Sequence, residues 1–267
     1  LKPFRVAEFR AALEPLLLPD QWDTPDALAA AIDRHQFVLA YQPKIEVSTG
    51  IVVGFEALAR WQHPTYGMIP PDKFITLAEQ TNLIDQLTDE VIRLAVADVA
   101  EWGSETAASL AVNLSARNLH DLAFADRLSV RCAEAGVPVD RLILEVTESS
   151  TMMDPVDAMD ILTRLRLKGA RLSIDDFGTG YSSLSQLVRL PFSELKIDKS
   201  FVMAATQSPD ARAVVKSTIE LAHSLGLHAV AEGVEDQGAL ELLAGLGCDH
   251  AQGYHIGKPR PAAAIRD

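Results

Sequence analysis

Short runs rich in β-branched and aliphatic residues alternate along this chain with longer stretches whose apolar positions recur every three or four residues. The short runs fall at 37–42, 51–60, 109–113, 141–147, 171–176, 194–198, 228–232 and 250–254, which predicts eight strands. Helix-start signals lie between them. Thr24-Pro25, Asp154-Pro155 and Ser208-Pro209 each offer a side-chain oxygen as N-cap with proline at the first helical position. Strand followed by helix, repeated to a count of eight, predicts a (β/α)₈ barrel. One connection breaks that rule: only Ser48-Thr49-Gly50 and their flanks join the first two strands. A parallel crossover needs about a dozen residues, so this pair is expected to be an antiparallel hairpin. With the turn centred near Thr49, Gln42 and Glu56 fall opposite each other.

Composition narrows the class. A chain of 267 residues with 48% hydrophobic and 23% charged residues can bury a large core, and barrels of this length are single domains. Residues 1–22 read as a linker or short helix, interrupted by Pro15, and residues 23–267 as the domain. No apolar run reaches membrane length and no signal-peptide profile opens the chain, so a cytoplasmic location without membrane contact is expected. The first residue is Leu1 rather than Met, which points to a piece of a longer protein with a sensor or regulatory domain upstream. Cys132 and Cys248 make neither a disulfide framework nor a zinc motif. A formal charge of −13 argues against DNA as partner, and an anionic substrate would need metal ions to mask it.

Charge placement carries the chemistry. The predicted strands end on Glu56, Asn113, Glu145, Asp175-Asp176, Lys196 with Asp198, Glu232 and Gln252. In a barrel these ends share one face. Carboxylates gathered there repel one another unless cations lie among them. Oxygen donors without a required His or Cys favour magnesium or manganese, and calcium also fits. Asp175 and Asp176 are neighbours, so both can serve only where the strand gives way to a loop; Gly178 marks that break. The run Asp176-Phe177-Gly178-Thr179-Gly180-Tyr181-Ser182-Ser183 resembles a phosphate loop but fits neither the Walker nor the dinucleotide pattern, and taken alone a tight turn capped by Ser182 or Ser183 into the next helix is the favoured reading. For Lys196, a simple salt bridge to Asp198 on the same strand face is the plain structural reading.

Taken together, Tyr41-Gln42-Pro43, Glu56-Ala57-Leu58-Ala59-Arg60, Asn113-Leu114-Ser115, Glu145-Val146-Thr147-Glu148-Ser149, Asp175-Asp176-Phe177-Gly178, Leu195-Lys196-Ile197-Asp198, Ala231-Glu232-Gly233-Val234-Glu235 and Gln252-Gly253-Tyr254 resemble the motif series of the EAL family. The likeness runs from about residue 37 to 259. It implies a modified (β/α)₈ TIM-like barrel whose first strand is antiparallel, and hydrolysis of cyclic di-GMP to linear pGpG with two divalent ions, magnesium or manganese. By the same resemblance Glu56, Asn113, Glu145 and Asp175 would hold one ion, and Asp175, Asp176 and Glu232 the other. Such a pair suits phosphodiester cleavage, because it acidifies a water and offsets charge growing on the phosphate. Calcium is expected to bind without efficient turnover, and so to inhibit.

The remaining roles follow from the same likeness. Lys196 would orient the water or counter phosphate charge; Glu232 would act as base, with Glu235 supporting it from outside the metal ligands. Arg60 would donate to a phosphate oxygen, and Gln42 and Gln252 would fix the substrate. Glu148 would steady the 176–184 loop, which in the family couples metal binding to homodimer formation. His255 departs mildly from the family pattern, and neither it nor His63 reads as a ligand. Two other readings stay open: a receptor that binds cyclic di-GMP without cleaving it, and a magnesium barrel enzyme acting on another phosphorylated metabolite.

Overall fold

A computed structural model describes residues 21–103, 108–178 and 187–265. The predicted helical stretch before residue 21 and the capping serines Ser182 and Ser183 lie outside those residues. All eight predicted strands are present: β1 (Phe37–Glu46), β2 (Val52–His63), β4 (Ser109–Leu114), β5 (Leu142–Thr147), β6 (Arg171–Phe177), β7 (Glu194–Ile197), β8 (His228–Ala231) and β9 (His250–Gln252). Two short strands add to them, β3 (Gly67–Ile69) beside β2 and β10 (Arg260–Pro261) beside β1. From β2 through β4 to β9 every barrel neighbour is parallel. β1 closes the ring, antiparallel to both β2 and β9. The fold is therefore the modified barrel with an inverted first strand.

The hairpin register places Gln42 directly across from Glu56, as the turn position requires. The middle strands read as continuous apolar runs because both faces are covered, by helices outside and by side chains along the axis inside. Leu142, Ile143 and Leu144 of β5 are fully buried. The helices are α1 (Pro25–Asp33), α2 (Pro71–Gln80), α3 (Ile84–Trp102), α4 (Phe124–Ala135), α5 (Glu148–Met153), α6 (Pro155–Leu167), α7 (Lys199–Ala205), α8 (Pro209–Ser224) and α9 (Gln237–Leu246). The three expected caps are made: Thr24 accepts from the Ala27 N–H, Asp154 from those of Val156 and Asp157, and Ser208 from that of Ala211. Each satisfies backbone donors that the first helical turn leaves without partners. Among the described residues no helix is long and apolar enough to cross a membrane.

Two strand ends are shorter than their apolar runs. β8 stops at Ala231 and β7 at Ile197, so Glu232 and Asp198 stand in the following turns. Both turns are polar and reach the cleft, where backbone pairing ends and carboxylates can be solvated.

Candidate active site

Five carboxylates and one ammonium converge where the parallel strands end. Lys196 of β7 is 1% exposed. Its Nζ lies 2.7 Å from Glu145, 3.1 Å from Asp175 and 2.6 Å from Glu232. The simple pairing with Asp198 is not found. Asp198 instead caps α7, accepting hydrogen bonds from the Ser200 N–H and hydroxyl. The reason is steric: Asp198 has left the strand, so it no longer shares the inward face with Lys196.

Glu56 of β2 is held by amides. Asn113 Nδ2 donates to its Oε1 at 2.8 Å, and Gln252 Nε2 donates to its Oε2. The same Gln252 nitrogen lies 3.3 Å from Gln42 Oε1, and Gln42 donates onward to the Gly257 carbonyl. Gln42, Glu56 and Gln252 thus form one network across β1, β2 and β9.

The adjacent acids both lie within β6, which does not give way to a loop before them as expected, and they are both usable because the strand turns irregular there. Pairing with β7 is irregular between Ile174 and Phe177, and Asp176 adopts φ +54°, in the left-handed region. Asp is among the few non-glycine residues found there, and such strain gathers at functional sites. The Asp176 N–H closes onto Asp175 Oδ1 at 2.8 Å. The turn carries Asp176 round to the Asp175 side, and ligand oxygens of Asp175, Asp176 and Glu232 come within 4.8 Å of one another. Gly178, φ +98°, follows, and its N–H donates to Glu148 Oε2 at 2.9 Å. Glu148 is buried at the start of α5, so it fixes the first residues beyond the strand. Residues 179–186 of that loop lie outside the described residues.

Burial and neighbours sort the acids. Burial opposes ionisation of Glu56, but Lys196, the Gln252 and Asn113 amides and Lys44 outweigh it and hold the group below its usual value. Glu145 lacks those amide donors. Burial drives it well above the carboxylate range, Lys196 resists, and repulsion from Glu56 and Asp175 adds to the rise. Burial, against Lys196 and with Asp175 and Glu56, pushes Glu232 up to about 7. Asp176 is raised by burial and by Asp175 and Asp198. Burial works against the Lys196 charge, yet Glu145, Glu56, Glu232 and Asp175 raise it well above the ordinary lysine value. The metal-free cluster therefore retains protons, which is how crowded carboxylates behave when cations are too few.

That donor set fits divalent metal. It is all oxygen, three of its members already converge, and Lys196, the cation in contact with them, cannot balance it. A second group with ligand spacing, His120, Asp154 and Asp157, is exposed, and its Asp154 is already the cap of α6. No comparable excess of buried charge exists there.

The cleft above the acids encloses about 360 Å³. Gln42, Glu56, Asn113, Asp175, Glu232, Glu235 and Gln252 line it, together with Lys199, Met203 and Tyr254. Arg60 faces a neighbouring apolar hollow of about 390 Å³ that shares Asn113 with the cleft. His63 accepts from the Thr65 and Tyr66 N–H groups and His255 meets Gln237, so both have structural partners.

Residues 26–259 match the model of the EAL domain. The chain belongs to the EAL family. MucR of Pseudomonas aeruginosa, a bifunctional diguanylate cyclase/cyclic di-GMP phosphodiesterase, is 43% identical over 240 residues, 89% of this chain and 35% of MucR. RocR of the same organism, a cyclic di-GMP phosphodiesterase, is 37% identical over 239 residues, 88% of this chain and 60% of RocR. The solved MucR phosphodiesterase in complex with c-di-GMP superimposes with a TM-score of 0.85 at 42% identity, covering 90% of this chain and 98% of that one. Across the first five similar curated proteins this EAL domain spans 29% to 41% of their length.

Sequence reasoning missed a layer beneath the EAL site. Lys44 of β1 and Glu194 of β7 form an ion pair of 2.6 Å, each side chain 3% exposed. Strand alternation could have revealed it, since Lys44 follows Gln42 by two residues and Glu194 precedes Lys196 by two. Two glycines were also missed as packing devices. A Cβ on Gly253 would lie 2.2 Å from the Val234 backbone N and O, and one on Gly233 would lie 2.5 Å from Lys199 Cβ.

Proposed function

We propose that this domain hydrolyses cyclic di-GMP to linear pGpG, using two divalent ions, magnesium or manganese. The observation that carries the reading is the meeting of Asp175, Asp176 and Glu232 within 4.8 Å around the buried Lys196. The cyclic di-GMP phosphodiesterases among the relatives support this choice of substrate. Glu56, Asn113, Glu145 and Asp175 would hold one ion, and Asp175, Asp176 and Glu232 the other. When bound, the ions acidify a water and offset charge on the phosphate.

The chain's own residues do the rest. Lys196 fixes Glu145, Asp175 and Glu232 at set distances, so the carboxylates need not reorganise on binding. Glu232 would also accept the proton of the attacking water, through the carboxylate oxygen that the second ion leaves free. Glu235 stands exposed on the same turn and lines the same cleft, where it would support Glu232 from outside the metal ligands. Gln252 acts through Glu56, whose carboxylate it orients, while Gln42 and Arg60 meet the substrate from the cleft wall and the adjoining hollow. Glu148 holds the start of the 176–184 loop through the Gly178 N–H.

Residues 23–267 form the catalytic unit in this reading, and 1–22 lead to a sensor or regulatory domain such as the longer relatives have room for. A homodimer is supported by exposed Val156 and Val188 beside a shallow hollow lined by Pro155, Met159 and Leu190. Light scattering on the purified protein tests it.

The activity test is incubation with cyclic di-GMP and magnesium or manganese, followed by separation of the nucleotides. Metal-dependent pGpG, abolished by Glu56→Ala, is the expected result. Tight binding without turnover in either metal would replace the enzyme by a receptor. Neither binding nor turnover would point to a different phosphorylated substrate.

A further inference from the structure

The cleft has to accept an anionic dinucleotide on a chain of formal charge −13. Its buried cation cannot help, because Lys196 is committed to three carboxylates within 3.1 Å. Two divalent ions would bring the five carboxylates and Lys196 only to neutrality. One phosphate is served by those ions and by Arg60 from the adjoining hollow, but the second phosphate of a cyclic dinucleotide needs a cation of its own within the cleft.

Lys199 is the one lysine or arginine among the described residues that line this cleft. It is exposed, and it makes no ion pair among the described residues. Its position is rigid at the root. Asp198 caps α7 immediately before it, and its Cβ packs against Gly233, where any side chain would collide at 2.5 Å. The absence of a Cβ at Gly233 is what lets α7 approach the Glu232 turn this closely. The flexible remainder of Lys199 then stands over the Asp176 and Glu232 side of the cleft, since its charge is felt at Asp176. Nothing in the fold requires a cation here. The backbone contact to Gly233 involves only Cα, Cβ and Cγ.

We infer that Lys199 is the substrate-positioning cation for the phosphate that is not cleaved. This rests on the cyclic di-GMP reading above. A lysine serves as a mobile point charge, able to follow a phosphate as the dinucleotide settles between the Tyr254 side and the Asn113 side of the cleft. Its contribution is made equally to bound substrate and transition state, so it acts on binding and leaves the chemical step alone.

The test compares Lys199→Ala, Lys199→Arg and Lys216→Ala. Lys216 is an exposed lysine on α8, paired loosely with Glu220, and removes the same unit of charge from the surface. Steady-state rates with magnesium would be measured over a range of salt, and equilibrium binding of cyclic di-GMP in calcium. Lys199→Ala should raise KM and the calcium Kd about tenfold with kcat within twofold, and should flatten the salt dependence of kcat/KM. Lys199→Arg should stay within about threefold of wild type, and Lys216→Ala should match it. Unchanged KM and Kd in Lys199→Ala would overturn the inference while leaving the phosphodiesterase reading intact. Equal losses in Lys199→Ala and Lys216→Ala would also overturn it, because bulk charge would then suffice. A wild-type protein that neither binds nor cleaves cyclic di-GMP would remove both readings together.

Discussion

Lys196→Met removes the one cation, among the described residues, that contacts Glu145, Asp175 and Glu232, and keeps most of the side-chain volume. At contacts of 2.6 to 3.1 Å, each Coulomb interaction is on the order of 5 to 6 kcal/mol before desolvation, taking an effective dielectric of about 20. Net figures are smaller, because burial of the charges opposes the attraction. Stranding a buried partner costs about 3–5 kcal/mol. For a domain of this size each kcal/mol moves Tm by roughly 2–4 °C, so a fall of about 6–20 °C is expected at pH 8 in chelator. The loss should shrink at pH 5, where Glu232, pushed up to about 7, is protonated instead of remaining as an unpaired anion. Thermal unfolding followed by circular dichroism at the two pH values reads both effects. A variant unfolded at pH 8 but folded at pH 5 meets the expectation. A Tm within 2 °C of wild type at pH 8, or an equal loss at both pH values, would show that the ammonium does not hold this cluster together.

Other perturbations test separate parts of the structure. In the metal-free protein Glu232 titrates at about 7 when folded against 4.5 as its ordinary value. The folded state then binds the extra proton, so this group's stability is fully present below pH 4.5 and is lost as pH rises through 7. The amount is on the order of 3 kcal/mol. Glu56 and Glu194 are held low and act in the opposite sense, losing stability as pH falls below the usual carboxylate range. In chelator, Tm measured from pH 5 to 8 should therefore decline; excess magnesium should reverse the trend, because metal displaces those protons. Glu148→Ala deletes the acceptor of the Gly178 N–H, and metal affinity by calorimetry should fall about 10–100-fold, whereas unaltered affinity would detach Glu148 from the site. Gly253→Ala forces a methyl to 2.2 Å from the Val234 backbone, and a drop of more than about 2 kcal/mol in urea unfolding is expected. A wild-type midpoint would mean that β9 can shift without cost.

Local chemistry made much of this protein readable from the chain alone. Alternating apolar runs and caps followed by proline depend on interactions within a few residues, and they located all eight barrel strands and three helix starts. The short Ser48-Thr49-Gly50 connection permits only a hairpin, and a hairpin fixes its register, so Gln42 opposite Glu56 was determined before any tertiary contact. Polar strand ends named most of the acids because barrel topology brings such ends to one face; Glu56 instead lies inside β2, near the end of its parallel pairing with β4.

Which acid meets which partner was decided only by the closed barrel. Lys196 turned from Asp198, two residues away, to Glu145, Asp175 and Glu232 on three other elements, because the strand ended between Lys196 and Asp198. The left-handed turn at Asp176 was equally hidden, since sequence marks a break near Gly178 but cannot assign φ +54° to an aspartate. The opposite shifts of Glu56 and Glu145 depend on two amide donors that arrive from β4 and β9. Charge, burial and hydrogen bonding over distances of a few ångströms set these differences, and residues far apart in the chain become neighbours only when the ring closes.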